Sequence, residues 1–353
     1  MHKAHLDGGG SARAQQIDLV HEAATALGGH PQDHGWREFY RLLAFSIERR
    51  SPALLSLVDA VIAARPDFAA AHMVTMLGIA VKAADPERFT QFTDPTPPEQ
   101  RLVSLERLLD ERAATVTGLI AARQNSFTGT RRFLLPQVLL SAYFTDRTVR
   151  FADFGTGLGA LPAQLNSPAL YRRFAPGLRW PDGIPAYRPI PLAARFGVDR
   201  SPLPDRTWVA SCYGPSDYYE GLFRELMEIM EHPEVKRANV EYVALDLLDT
   251  EALQAFLRRE RINAVNLSYV LYELSTENRG RVLTALREAL SPPGVVTVTE
   301  PERELSQQGC TVKFLESGRD KPWRLVHVSD GHFKGTVRPL EDFREFTTVH
   351  PIV

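Results

Sequence analysis

Val149-Arg-Phe-Ala-Asp-Phe-Gly-Thr-Gly-Leu-Gly-Ala-Leu-Pro-Ala-Gln-Leu165 is the stretch on which the reading of this chain turns. Its first six residues, Val149 to Phe154, form a short apolar run suited to a strand covered on both faces. Glycines follow at 155, 157 and 159. Gly155 lets the chain turn sharply, and a side chain at Gly157 or Gly159 would keep a ligand away from the backbone. A helix is predicted next, with its free N–H groups and positive dipole end directed at the crevice beyond the strand. Open α/β sheets bind nucleotide-like ligands at such a place, outside the carboxyl end of a parallel strand.

Two ligand classes fit this loop. Gly155, Gly157 and Ala160 match the dinucleotide fingerprint G-x-G-x-x-G/A. Asp153, Gly155, Gly157 and Gly159 match a different pattern, acidic-x-G-x-G-x-G. A carboxylate at a strand end needs a partner: a pyrophosphate would repel it, whereas an ammonium or a backbone N–H would satisfy it. Two plainer readings stay open, a glycine turn that binds nothing and an Asp153 that only caps the next helix.

Downstream, strands are predicted to end in polar groups. Ala194 to Asp199 reads as a second strand, ending where Rossmann-type sheets place the acid that accepts from ribose hydroxyls. Asp199 lies 40 residues beyond Gly159, against about 20 in a minimal unit. A proline-rich insert at 167–194, with Pro168, Pro176, Pro181, Pro185, Pro189 and Pro191, accounts for the excess and is expected to lack regular structure. Val240 to Leu247 is a third strand carrying Asp246, and Ile262 to Val270 a fourth carrying Asn266. Then come Val270-Leu-Tyr-Glu-Leu-Ser275, a helix Arg281 to Leu290, the stop Ser291-Pro-Pro-Gly294, and a fifth strand, Val295 to Thr299, ending at Glu300-Pro301. Two-residue periodicity at Thr311–Leu315 and Arg324–Val328 predicts antiparallel terminal strands. Residues from Arg338 to the end carry no pattern that places them.

The acidic-glycine loop and the strand–loop–helix–Pro-Gly–strand–Glu run resemble the motifs of the class I S-adenosylmethionine (SAM) methyltransferases, over about residues 149 to 330. The resemblance implies a Rossmann-like, doubly wound, mostly parallel seven-stranded α/β sheet, preceded here by an all-α N-terminal domain. It implies SAM as cofactor, with Asp153, Gly155, Gly157 and Gly159 at the methionine end. It further implies Asp199 at the ribose, Asp246 at the adenine and Asn266 on the methyl-donor side. Tyr269, Tyr272, Glu273 and Glu300 are the candidates to orient or deprotonate an acceptor.

The chain has no Asn/Asp-Pro-Pro-Tyr/Phe after strand four and no Pro-Cys pair, so nothing supports adenine-amino or cytosine-carbon methylation. The expected activity is methyl transfer to an unidentified small molecule. The main alternative is a non-catalytic Rossmann-like binding or scaffold protein that keeps a nucleoside-type site. An NAD-dependent oxidoreductase is disfavoured by Asp153 and by the Pro-Gly–strand–Glu segment.

Upstream, residues 14–146 read as a helical domain. Stripes at Ile17/Val20/Ala24/Leu27, Trp36/Phe39/Tyr40/Leu43 and Leu54/Leu55/Val58/Val61/Ile62 repeat at helical spacing. A long helix is predicted over Glu99–Arg123, and another over Phe133–Tyr143. The polar loop 125–132, ending in Arg131-Arg132, reads either as a lid over the crevice or as an ordinary connection. His72 on an apolar helix reads as a core histidine, and Pro31 spoils any metal pair between His30 and His34. Residues 1–13 read as a flexible tail, leaving 147–353 as the methyltransferase-like domain.

The chain is 353 residues long, 44% hydrophobic and 24% charged, with net charge −2. That balance suits a soluble globular protein and gives no reason to expect a nucleic-acid or membrane partner. A homodimer through the helical domain is left open. Cys212 and Cys310 form no metal or redox spacing, and no signal segment is visible, so a cytoplasmic location is expected.

Overall fold

The computed structural model describes residues 8–29, 35–302 and 309–352. Among the described residues, six helices come first: α1 (Gly8–Gly28), α2 (Arg37–Glu48), α3 (Pro52–Ala64), α4 (Ala70–Ala84), α5 (Pro86–Phe92) and α6 (Pro98–Ala122). After α7 (Leu134–Tyr143) come β1 (Val149–Phe154), α8 (Ala160–Gln164), α9 (Pro168–Phe174) and β2 (Leu192–Asp199). Next are α10 (Arg206–Ser211), α11 (Asp217–Met230), α12 (Pro233–Arg237), β3 (Glu241–Ala244), α13 (Thr250–Arg259) and β4 (Ala264–Ser268). The chain closes with α14 (Thr276–Ala289), β5 (Val295–Pro301), β6 (Cys310–Glu316), β7 (Trp323–Val328), β8 (Val337–Pro339) and α15 (Phe343–Val349).

Two compact units result. The first comprises residues 1–127 and 205–223, the second residues 128–204 and 224–353. The boundary drawn from sequence at 146/147 falls inside the second unit, and α7 belongs with the sheet because its apolar residues pack in the same core as β1. The first unit is an all-helical core built round Phe39, Phe89, Phe92, Leu105 and Ile120, all fully buried. The ring of Phe89 packs at 5.0 Å from Phe39 and 5.6 Å from Trp36. His72 lies edge-on to Phe68 at 4.4 Å, and burial lowers its pKa to about 4. Cys212 is buried in this unit, its sulfur accepting from the Ser126 N–H at 3.4 Å. The tail expected over 1–13 is helical from Gly8, and Arg13 Nε donates to Asp59 Oδ1 at 2.6 Å, which ties the start of α1 to α3. His30 and His34 lie outside the described residues.

The second unit is an α/β sandwich on an eight-stranded mixed sheet, in the order β3-β2-β1-β4-β5-β6-β7-β8. The first five strands in that order are parallel, and β6, β7 and β8 continue antiparallel from β5. The expectation of seven strands is therefore corrected to eight. β8 has three residues and ends at Pro339, too short to show an alternation in sequence.

Strand alternation divides the core in two. Ala152, Phe154, Val265, Leu267, Val296 and Val298 meet Leu253, Phe256 and Leu257 of α13 and Val282 and Leu286 of α14. Val149, Phe151, Ala264, Val295, Val312 and Phe314 face a second core with residues of α7, α8 and α9. The strands read as almost unbroken apolar runs because both faces are covered. The insert at 167–194 does contain regular structure, since α9 occupies 168–174. Pro168 falls in its first turn, where no N–H is needed, and the Ser167 hydroxyl accepts from the Leu170 N–H at 3.2 Å.

Among the described residues, no helix is long and apolar enough to cross a membrane.

Candidate functional site

The order 3-2-1-4-5 reverses between β1 and β4, and the crevice outside the carboxyl ends at that point is where open sheets take ligands. Asp153 and Asn266 are register partners on the adjacent strands β1 and β4. The glycine loop begins at once: Gly155, Gly157 and Gly159 all hold positive φ, of 69°, 58° and 72°. Only glycine adopts this freely, so the loop needs three glycines for conformation as well as for close approach. β2 pins its near side. The Gly155 N–H donates to Val198 O at 2.9 Å, and the Gly157 N–H donates to Asp199 Oδ2 at 2.9 Å.

The helix after the loop is shorter than the sequence suggests. α8 has five residues, ends at Gln164, and is followed by Asn166 in a left-handed conformation at φ 61°. A helix of little more than one turn contributes a small dipole, so the backbone amides and carboxylates dominate the local field.

Asp153 is 3% exposed, and its Oδ1 accepts from Asn266 Nδ2 at 2.7 Å. Burial pushes its pKa up to about 7; the Asn266 bond opposes this and the nearby Asp199 charge adds to it. Asn266 does not line the crevice. It is fully buried one layer below, donating to Asp153 and to Ser268 Oγ and accepting from Thr297 Oγ1 at 2.8 Å. β4 runs on to Ser268, which leaves Asn266 inside the strand.

Asp199 ends β2 as expected, and its Oδ1 accepts from the Arg200 N–H at 2.8 Å. Burial raises its pKa, against the two backbone donors. Asp246 lies two residues beyond β3, in a turn where its Oδ1 accepts from the Leu248 N–H at 2.9 Å. Its side chain is 37% exposed and its Oδ2 lies 3.2 Å from Arg200 Nε. Asp153 and Asp199 therefore adjoin the glycine loop, while Asp246 is paired with Arg200.

The four acceptor-facing candidates separate. Tyr269 takes a left-handed φ of 58° directly after β4, and its N–H donates to Thr299 O at 2.8 Å. Its ring carries the Arg132 guanidinium at 3.9 Å, and burial raises its phenol well above the usual range. Tyr272 and Glu273 stand on the turn that follows, the Tyr272 ring 38% exposed. Glu300 is committed to the backbone: it accepts from the N–H groups of Val270 at 3.1 Å, Leu271 at 2.8 Å and Tyr272 at 3.1 Å. Three of the acceptor positions of its carboxylate are thus taken by the backbone, while burial pushes its pKa up to about 7.

Sequence reasoning missed Tyr242. It sits on β3, 46% exposed, and its hydroxyl donates to Leu158 O at 3.1 Å. A Cβ added to Gly159 would come within 2.4 Å of the Tyr242 hydroxyl, and one added to Gly197 within 3.3 Å of its ring. The readable signal was strand alternation, which puts residue 242 on the face of Gly197, its register partner. Gly159→Ala is therefore expected to displace Tyr242 and force a left-handed alanine. The loss should be about 1–3 kcal/mol, measured by denaturant unfolding. Arg132, at the end of the polar loop 125–132, is buried, and its Nε donates to Gly331 O at 3.4 Å.

Among the described residues there is no group of three His, Cys, Asp or Glu side chains that could hold a metal ion. No protein-family model matches the chain, and no curated protein matches it. Among solved structures it is similar to PKMT2 from Rickettsia typhi, determined in complex with AdoHcy. The likeness covers 50% of this chain and 25% of that one, at 17% identity and a TM-score of 0.25. This chain thus matches about a quarter of that protein's length, a likeness too slight to carry any reading of the site.

Proposed function

We propose that this protein is a SAM-dependent methyltransferase acting on a small-molecule acceptor. One observation supports the reading above the rest: the carboxylates of Asp153 and Asp199 adjoin a positive-φ glycine loop at the strand ends, Asp199 accepting from the Gly157 N–H. A crevice with this charge disfavours a pyrophosphate and favours a ligand bearing an ammonium, a sulfonium and neutral ribose hydroxyls.

The residues present fit SAM. At Gly155 and Gly159 a Cβ would collide with Val270 and Tyr242, so glycine lets these two side chains pack directly on the loop, and the fit to SAM rests on the chemistry of the acceptors around it. Asp153 would face the ammonium, Asp199 the ribose hydroxyls and Asp246 the adenine amino group. Bound there, SAM would supply an electrophilic methyl group on sulfur. Asp199 orients the loop through the Gly157 N–H, and Asn266 orients Asp153. Tyr272 and Glu273 are left to meet the acceptor.

A second reading, a binding module without turnover, gains from one observation. Glu300 is spent on holding a turn and Tyr269 is stacked against Arg132, which thins the set of acid–base groups. Methyl-labelled SAM incubated with the protein and a fractionated extract separates the two. Label in the low-mass fraction is the expected result. Binding of S-adenosylhomocysteine with no label in any fraction would favour the module.

A further inference from the structure

Glu300 looks like a catalytic acid in sequence, at the end of a strand beside the crevice. Its hydrogen bonds show a different use. Three successive amides, those of Val270, Leu271 and Tyr272, converge on its carboxylate at 2.8–3.1 Å. Consecutive N–H groups pointing inward make an anion-binding concavity, and here the protein fills it with its own side chain. The carbonyls of the same turn are held from another side. Arg279 of α14 donates Nε to Leu271 O at 3.1 Å and Nη2 to Leu274 O at 3.3 Å. An acid from β5 and a base from α14 thus clamp the turn after β4.

The clamped turn rests on the glycine loop. A Cβ added to Gly155 would come within 2.4 Å of Val270 Cγ2, so the valine is seated directly against that glycine. β2 fixes the opposite side of the loop through Val198 O and Asp199. Val270 supplies the wall facing β4.

From this we infer that Glu300 is a positioning residue, which sets the shape of the glycine loop through the Val270–Tyr272 turn and the contact of Val270 with Gly155. The inference rests on the glycine loop being the ligand site, as proposed above, but it can be tested without a ligand. It predicts that Glu300 acts on binding through Val270 and does not touch the ligand.

The test uses the full chain as wild type, Glu300→Gln, Val270→Ala and the double variant. S-adenosylhomocysteine is the binding probe, and amide hydrogen exchange is measured without ligand. Glu300→Gln replaces an acceptor oxygen with an NH2 group that opposes a backbone N–H. It should raise exchange at least tenfold in 270–272 and also in 155–159, and weaken binding about tenfold. Val270→Ala should raise exchange in 155–159 alone. The double variant should bind no more weakly than Glu300→Gln, because the second change removes a contact already lost. Glu300→Asp, which keeps the charge on a shorter arm, should recover part of the affinity.

Additive losses in the double variant would overturn the inference, as would unchanged exchange in 155–159 once 270–272 has loosened. If Glu300→Gln does not fold, Val270→Ala decides, and unchanged exchange in 155–159 overturns the inference. Failure of the wild type to bind S-adenosylhomocysteine would count against the methyltransferase reading, while the exchange measurements would still decide the role of Glu300.

Discussion

Asp153→Asn should bind S-adenosylhomocysteine about 10- to 150-fold more weakly than the wild type while melting at a higher temperature. Both effects follow from one buried carboxylate. In the free protein its pKa is raised from 3.8 to about 7, because burial penalises the charge. The unfolded chain keeps the lower value, so the penalty grows as pH rises through this interval. It is fully present above pH 7 and absent below pH 4. At pH 8 an asparagine, which can still accept from Asn266, should therefore add about 1–3 kcal/mol of stability, a gain that fades as pH falls towards 4.

Binding has the opposite sign. A ligand ammonium beside Asp153 favours the ionised form, so the neutral variant loses a charge-assisted contact worth about 1.5–3 kcal/mol or more in a buried site. The same coupling predicts proton release. Near pH 7 the wild type should release a fraction of a proton per ligand bound, since burial keeps part of the Asp153 carboxyls protonated in the free protein. Calorimetry in buffers of different ionisation enthalpy reads that number directly, and Asp153→Asn should release none from this group.

Asp199→Ala is the second large effect, and here stability and binding fall together. The Asp199 carboxylate holds the Gly157 N–H on one oxygen and the Arg200 N–H on the other. Truncation leaves both donors without their acceptor and frees the near side of the glycine loop. An expected loss of about 1–3 kcal/mol in unfolding free energy follows. Binding loses the ribose acceptor as well, and an affinity drop of 100-fold or more is expected. Loss of stability with affinity unchanged would mean that Asp199 only fixes the loop.

The parallel part of the sheet was legible because its signals are local. Apolar runs bounded by glycine, proline and aspartate place β1, β2, β4 and β5 to within a few residues. What failed was decided by tertiary context. α9 was hidden by a proline-rich stretch whose Pro168 happens to sit in a first helical turn. β8 is too short to alternate. Asn266 was expected on the methyl-donor side, but it sits inside β4 with its amide buried against Asp153 and Thr297. Glu300 seemed free because nothing in a linear sequence shows three amides from residues 270–272 folding back onto it. Tyr242 was invisible for a related reason: its role comes from lying over Gly159, which is distant in sequence.

On the proposed function, the acidic glycine crevice takes the nucleoside of SAM and excludes a dinucleotide. The most direct measurement is calorimetric titration of the purified chain at pH 8 with S-adenosylhomocysteine and, separately, with NAD. Saturable binding of one S-adenosylhomocysteine per chain, with no heat from NAD, is the predicted result. No binding of S-adenosylhomocysteine by a well-folded sample, or tighter binding of NAD, would contradict it.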